Sequence, residues 1–365
     1  MSDACASRKR RSLLRITMGT AAVAFTLAAC DGNAGQASAR VRVLPVPDNG
    51  TLADAAMDAA GRLHLAFLRN DDLYYTVSAD LGRQFAPSLR INERKGFAAG
   101  GLFRGPKIAI TADGRAHIVW YNRAYALGLD RTAWGVMYSQ LGPGPEVATS
   151  YAYRGGADGY SITAFDNIVT VAWHDDRAVF VARRASGADE FAAPLELRSL
   201  ACECCDTSLA MNADQVLWAV YRDREGNRRD EYLQRVDLQT GEQRRLRLDA
   251  ESWIIDACPI SGVGMALEAQ RAVIAWEHDG AVLLAAVDLD AMQVTRRAAL
   301  GAGKYPLVLV SGNSVLVAWK DRKLLRWSLL ALDTFAQIEQ GEAVTRTSDR
   351  TTGVATRDGH FILLR

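Results

Sequence analysis

The sequence predicts an all-β protein, a six-bladed β-propeller whose blades are four-stranded antiparallel sheets. Three observations lead to this prediction. A unit of about fifty residues recurs along the chain. Each copy contains an apolar strand, a turn, and a second strand that ends in an aromatic residue followed by charged residues. No segment after Cys30 has the periodicity of a capped amphipathic helix. Repeats of this length with alternating apolar positions are typical of propeller blades.

One aromatic residue near the end of the second strand marks each copy of the unit. The marking residues are Phe67, Trp120, Trp173, Trp218, Trp276 and Trp319. They are 43 to 58 residues apart, which leaves room for four strands in each blade. We expect residues 351–365 to supply strands that close the ring with the first blade, because closure removes exposed sheet edges.

The N-terminus predicts export and anchoring. A basic segment, residues 8–15, precedes an apolar run of residues 16–30. The run is too short to span a membrane and is typical of a signal peptide, here residues 1–29. The end of the run, Leu27-Ala28-Ala29-Cys30, resembles a bacterial lipobox, which implies cleavage before Cys30 and lipidation of that residue. Residues 30–45 are then the lipidated cysteine and a flexible tether, and residues 46–365 are the propeller.

Two further details bear on localisation. The pair Arg10-Arg11 resembles a twin-arginine export signal, and the general secretory route is the alternative. Asp31 resembles the residue that retains some lipoproteins in the inner membrane. We therefore predict a bacterial envelope protein that is lipid-anchored on the periplasmic side, with the inner membrane favoured.

Charge excludes one class of partner. The chain has 43 basic and 42 acidic residues, and no basic tract follows the signal peptide. A nucleic-acid partner is therefore not expected, because such proteins present a basic patch. We expect a monomer that binds a glycan, a small molecule or a protein in the envelope.

A turn motif resembles a known family. Residues 78–85, SADLGRQF, match the Asp-box of sialidase-like (BNR) propellers, with Ser78, Asp80, Gly82 and Phe85 at the defining positions. In that family the box is a structural turn between the third and fourth strands of a blade, so the resemblance implies a fold and not an activity. The run CECCDTSLA, with YRDREGNRRD and WIIDACPISG after it, is similar to a subgroup of sialidase-like bacterial lipoproteins with a CxCC motif.

Four of the six cysteines remain once Cys5 leaves with the signal peptide and Cys30 carries lipid. They are Cys202, Cys204, Cys205 and Cys258. An even number in an oxidising compartment favours two disulfides, with three possible pairings. The alternative is a thiolate site for copper or zinc, with His174 or His278 nearby. No cofactor is the preferred prediction.

Propeller geometry predicts a ligand site. The start of each inner strand and the end of each second strand lie on one face, where they would form a polar funnel. The residues we expect to bind a ligand there are Arg104, Arg222, Arg350, Asp206 and Lys304. We expect Arg222→Ala to abolish ligand binding without unfolding the domain.

The resemblance to sialidases implies an arginine triad that grips a carboxylate, a tyrosine nucleophile with a glutamate, and an aspartate acid/base. Placed by blade and not by motif, these are Arg104, Arg222 and Arg350, then Tyr305 with Glu277, and Asp158. Three functions stay open. The preferred one is an envelope propeller that binds a ligand, an acidic glycan being one candidate, without established hydrolysis. The alternatives are an exo-acting glycoside hydrolase of sialidase type and a copper- or zinc-handling protein.

Overall fold

A computed structural model describes residues 40–101, 104–142, 146–185, 188–346 and 350–365. The predicted signal peptide, Cys30, Asp31 and the tether up to residue 39 lie outside these ranges. Two short 3-10 turns, Pro47–Asn49 and Arg131–Ala133, are the helical segments of the described part. Within the described ranges, no helix has the length and apolar character needed to cross a membrane.

The strands form a ring of seven sheets, so the prediction of six blades is wrong by one. Blades 1 to 6 are four-stranded and antiparallel, as predicted. In chain order their strands are β2 to β5 (Thr51–Met57, Leu63–Arg69, Asp72–Ser78, Leu89–Arg90), β6 to β9 (Lys107–Ile110, Ala116–Tyr121, Gly135–Leu141, Val147–Arg154), β10 to β13 (Asp158–Phe165, Ile168–Asp175, Ala178–Arg184, Leu195–Arg198), β14 to β17 (Ser208–Met211, Val216–Arg222, Glu231–Asp237, Gln243–Arg247), β18 to β21 (Val263–Glu268, Arg271–His278, Ala281–Asp288, Gln293–Ala302) and β22 to β25 (Lys304–Ser311, Ser314–Asp321, Leu324–Ala331, Gln337–Val344).

Blade 7 joins the two ends of the described chain. Its strands are Thr352–Ala355 (β26), Phe361–Leu364 (β27) and Val41–Leu44 (β1). The N-terminal strand pairs in parallel with β27, and Val41 lies opposite Phe361. The C-terminal strands therefore form a blade of their own and do not complete blade 1. Strand β1 lies within residues 30–45, so part of the predicted tether belongs to the propeller.

The marking aromatic residues form the core, as their repeat position predicted. None of the six is more than 4% exposed. Each packs between its own blade and a neighbouring sheet or loop; Trp218, for example, lies in one cluster with Ile274 and Trp276 of blade 5. Burial of such large side chains stabilises the contacts between blades.

Residues 78–85 form the predicted turn after the third strand of blade 1. The Ser78 hydroxyl accepts the Gly82 N–H at 2.8 Å, and the Asp80 carboxylate accepts the Gln84 N–H at 2.8 Å. Gly82 has φ +81°, a conformation that favours glycine. Phe85 packs against Leu63 and Ile362, so the turn contacts both blade 1 and blade 7.

The inner strands line the centre of the ring. Each contacts the next inner strand, and the last, β26, contacts the first, β2. The start of an inner strand lies beside the end of its second strand, as predicted: Asp158 pairs with His174, and Lys304 with Lys320. These chain segments therefore share one face of the ring.

Candidate functional site: the central channel and the cysteine cluster

A cavity of about 270 Å³ occupies the central channel. Residues from all seven blades line it, in chain order Asp54, Lys107, Ser161, Asp206, Gly262, Tyr305 and Arg350 among others. Two of these are cationic and two are carboxylates. A concave site with a few convergent polar groups is the usual form of a ligand pocket.

Lys107 is the channel residue that sequence reasoning missed. It lies at the start of β6, faces the cavity, and has no ion pair or hydrogen bond of its ammonium group within the described ranges. Part of its surface is open to the channel, but protein surrounds it. Burial, together with the positive charge of Arg350, lowers the pKa of Lys107 to about 7 against the attraction of Asp54.

Asp54 does not neutralise Lys107 by direct contact. Its carboxylate accepts the Ile108 N–H at 2.9 Å and the Thr352 hydroxyl at 3.3 Å. It thus ties blade 1 to blades 2 and 7. The Lys107 charge remains available to a group that enters the channel.

Arg350 and Asp206, both predicted to bind ligand, meet each other at the channel. Nη2 of Arg350 forms an ion pair with the Asp206 carboxylate. Nη1 of Arg350 is buried and has no hydrogen-bond partner in the described part of the chain. Burial lowers the pKa of Arg350. An unpaired guanidinium nitrogen in the protein interior is costly.

Arg104 lies beside the same region but has a protein partner. Its Nε donates to the Asp158 carboxylate at 2.5 Å, and its guanidinium lies 4.9 Å from the Tyr121 ring centre. Burial would lower the pKa of Arg104, but the hydrogen bond and charge of Asp158 raise it overall. Asp158, the predicted acid/base, is therefore held in an ion pair.

Arg222 does not join Arg104 and Arg350, so the predicted triad is not assembled. Its side chain is 2% exposed and forms an ion pair with Glu231 at 3.1 Å. It also donates to the Glu277 carbonyl at 2.6 Å and lies 4.9 Å from the Trp253 ring centre. Burial would lower the pKa of Arg222, but the charge of Glu231 raises it. Arg222 is an internal residue of blade 4 and does not line the channel cavity, and its expected role in ligand binding stays a prediction.

The predicted nucleophile pair is also not assembled. Tyr305 lines the channel, but no hydrogen bond joins it to Glu277 among the described residues. Burial raises the pKa of Tyr305, and the neighbouring Cys205 and Glu277 raise it further. Glu277 is 1% exposed, 3.5 Å from the Lys304 ammonium group. That ammonium also donates to the Pro259 carbonyl at 2.6 Å. A tyrosine held protonated is poorly suited to attack a glycosidic carbon.

The cysteines form a compact cluster between blades 4 and 5. Cys204 and Cys258 form a disulfide with a Cα–Cα distance of 6.6 Å, whereas Cys202 and Cys205 are buried thiols. The prediction of disulfides is therefore confirmed for one pair. The Sγ atoms of Cys202 and Cys204 are 3.5 Å apart, and those of Cys202 and Cys205 are 3.6 Å apart.

A local turn brings these sulfurs together. The Cys205 N–H donates to the Cys202 carbonyl at 3.0 Å, which closes a four-residue turn and places its first and last side chains on one side. The thiol of Cys205 donates to Cys202, which lowers the pKa of Cys202, and the nearby Arg222 and Arg229 charges lower it further. The same hydrogen bond, together with burial, raises the pKa of Cys205.

The cluster fits a metal only in part. The sulfurs of Cys202, Cys204 and Cys205 lie within 4.8 Å of one another, a spacing suited to a soft metal. However, the disulfide engages Cys204. Both predicted histidines are engaged as well: Nε2 of His174 is 2.6 Å from the Thr207 hydroxyl, and Nδ1 of His278 is 2.7 Å from the Asp249 carboxylate. Two thiols would then remain as ligands.

Comparison with known proteins supports the fold alone. No protein-family model matches the sequence, and no curated protein matches it. Solved propeller structures are similar in shape. The WD40 repeats of RRP9 match with a TM-score of 0.57 and 11% identity, over 87% of each chain. A chain of the mitotic checkpoint complex matches with a TM-score of 0.56 and 9% identity, over 84% of this chain and 83% of that one.

A third solved structure is similar in shape at equally low sequence identity. A chain of hydrazine synthase from Kuenenia stuttgartiensis has a TM-score of 0.55 and 11% identity, over 87% of this chain and 92% of that one. At such low identity the similarity extends to the β-propeller architecture and no further. Function must therefore be argued from the site.

Proposed function

We propose that the protein is an envelope-anchored β-propeller that binds a small acidic ligand, such as the carboxylate-bearing end of a glycan, in its central channel. One observation carries the proposal: Lys107 and Arg350 face a cavity of about 270 Å³ with cationic groups that the protein does not fully pair. A ligand carboxylate in this cavity would supply the acceptor that the Lys107 ammonium group lacks, and it would lie in the positive field of Arg350. Hydrogen bonds to charged groups contribute about 1.5–3 kcal/mol each.

The proposed anchor is the lipid on Cys30. It rests on the lipobox-like sequence and on the first strand of the propeller, which begins only eleven residues after Cys30, at Val41. Labelling of cells with a fatty-acid probe tests it, because Cys30→Ser should lose both the label and the membrane association.

Titration calorimetry of the purified propeller tests the channel. We expect glucuronate and N-acetylneuraminate to bind, and neutral glucose to bind more weakly. Lys107→Gln should weaken binding of the acidic sugar by about tenfold or more, because one charged hydrogen bond is lost. Lys95→Gln is the matched control, since Lys95 is exposed and lies outside the channel lining. Equal affinities for the two variants would contradict the proposal.

The two alternative functions have less support. Sialidase-type hydrolysis would draw on Tyr305, Glu277 and Asp158, but the first two are not hydrogen-bonded to each other and the third is paired with Arg104. Copper or zinc handling would require Cys204 to be free, whereas it is bonded to Cys258. Release of a fluorogenic sialoside's dye, or stoichiometric metal in the purified protein, would revive the respective alternative.

A further inference from the structure

We propose that the four cysteines form a disulfide relay, in which the buried Cys202/Cys205 dithiol reduces a small-molecule disulfide at the surface through the Cys204–Cys258 disulfide. The relay is independent of ligand binding in the channel. The proposal rests on the positions of the four sulfur atoms. The dithiol is buried, and the Cys204–Cys258 disulfide lies between it and the solvent.

Accessibility gives the relay its direction. Cys202 and Cys205 are 1% and 2% exposed, Cys204 is half-buried, and Cys258 is exposed. Cys202 and Cys258 both line a surface pocket of about 250 Å³ with Glu203, Arg224, Arg229 and Asp256. A disulfide substrate in this pocket would reach the sulfur of Cys258 most readily.

The first transfer is internal. Cys202 loses its proton to solvent, and its thiolate attacks Sγ of Cys204 from 3.5 Å. The Cys202–Cys204 bond forms, the Cys204–Cys258 bond breaks, and the electron pair leaves on Cys258 as an exposed thiolate. The lowered pKa of Cys202, which the hydrogen bond from Cys205 and the charges of Arg222 and Arg229 produce, favours the attacking species.

The second transfer passes electrons from the protein to the substrate disulfide. The Cys258 thiolate attacks one sulfur of the substrate disulfide, so that a mixed disulfide forms and the first substrate thiolate departs. Cys205 then loses its proton and attacks Cys202 from 3.6 Å, which forms the Cys202–Cys205 bond and frees the Cys204 thiolate. Cys204 attacks Cys258, the original disulfide re-forms, and the second substrate thiolate departs.

The electrons balance in this sequence. The dithiol loses two electrons and two protons and becomes a disulfide, and the substrate disulfide gains them and becomes two thiols. The Cys204–Cys258 disulfide is the same at the start and the end. A Cys-x-x-Cys pair with a low-pKa first thiol and a buried second thiol has the asymmetry that dithiol exchange requires.

Oxidised glutathione is the probe that tests the relay. One equivalent should be reduced per wild-type protein, and peptide mapping should then show a Cys202–Cys205 bond beside Cys204–Cys258. Cys205→Ala should stop the sequence midway, because Cys204 stays bonded to Cys202. Glutathione then accumulates as a stable adduct on Cys258, which intact mass and mapping detect. Cys202→Ala is the matched control. It should reduce oxidised glutathione at least about tenfold more slowly than the wild type, because it lacks the attacking thiol.

A measurement on the wild-type chain covers the case in which a variant does not fold. Maleimide added to the native protein should label Cys258, although this residue is in a disulfide in the ground state, because the internal transfer exposes its thiolate. Labelling confined to Cys202 and Cys205, or a glutathione adduct on either of them in place of Cys258, would overturn the relay.

Discussion

The guanidinium of Arg222 lies 3.1 Å from the carboxylate of Glu231, and each side chain is only 2% exposed. The two residues pair across neighbouring strands of blade 4. Burial raises the pKa of Glu231 to about 8 against the opposing effect of the Arg222 charge. Arg222 is not among the residues that line the channel cavity. Removal of Arg222 leaves the buried Glu231 carboxyl without its partner in the protein interior.

Arg222→Ala should therefore destabilise the protein, by about 3–5 kcal/mol on removal of one partner of a buried pair. Denaturant unfolding monitored by tryptophan fluorescence measures the loss. Arg244→Ala, an exposed arginine on the outer strand of the same blade, should change stability by no more than about 0.5 kcal/mol. If Arg222→Ala proved as stable as Arg244→Ala, the buried-pair interpretation would be wrong.

Lys107→Met should change how stability depends on pH. The pKa of Lys107 is about 7 in the folded protein against 10.5 for an ordinary lysine, so the unfolded chain binds more protons between these values. Wild-type stability should therefore rise with pH across this window relative to the variant. At lower pH the variant should be the more stable protein, because the wild type must hold a charge in the channel.

Parallel urea titrations of both proteins, at a series of pH values from below 7 to above 10, measure this difference. Other titrating groups are shared by the two proteins and cancel. A constant stability difference over the whole range would show that Lys107 titrates like an exposed lysine.

Gly82→Ala should destabilise the protein more than Gly61→Ala. Both glycines have φ near +80°, so backbone strain is common to the two substitutions. A Cβ at Gly82 would lie 2.7 Å from Cδ1 of Leu44, whereas nothing lies within 4 Å at Gly61. The excess cost should be about 1 kcal/mol, the lower range for overpacking. Thermal unfolding of the pair measures it, and equal losses would mean that Leu44 moves aside freely.

A chain that starts at residue 46 should be less stable than one that starts at Arg40. The shorter chain lacks β1 and with it the ladder from Val41 to Leu44. Val41 is 6% exposed and packs against Phe361 and Leu363. Its loss alone should lower the free energy of unfolding by about 1.5–3 kcal/mol, because that apolar burial is lost. A lower melting temperature for the shorter chain is the expected result. Identical melting curves would restore the predicted boundary at residue 46.

The sequence was informative where a pattern repeats. The tryptophans of blades 2 to 6 indicated the blades because each occupies the same packing position. Blade 7 has no aromatic residue at the end of its second strand, where Leu364 lies, and its third strand comes from the other end of the chain. The repeat pattern, which depends on that aromatic residue, therefore could not reveal blade 7.

The site was harder to predict because its residues follow no motif. Position in a blade correctly placed Arg350 and Asp206 at the channel, but it did not reveal that they pair with each other. Position in a blade also placed Arg222 on this face, but it did not show which way the side chain points. The alternation of side chains along the strand directs it into the protein interior. Lys107 is a single lysine in a short strand, and its position in the channel is evident only from the assembled ring.

The parallel joint between β1 and β27 has a consequence for biosynthesis. Leu44 accepts the N–H of Arg365 at 2.9 Å, and Val46 donates to the Arg365 carbonyl at 2.8 Å. Most of the described chain separates these partners, so β1 leaves the ribosome long before its partner strand β27. Six sheets can form as they emerge, but the ring stays open, with unpaired edges on both sides of the gap, until translation has delivered β27. During that interval the strand edges on either side of the gap are open to pairing with other chains.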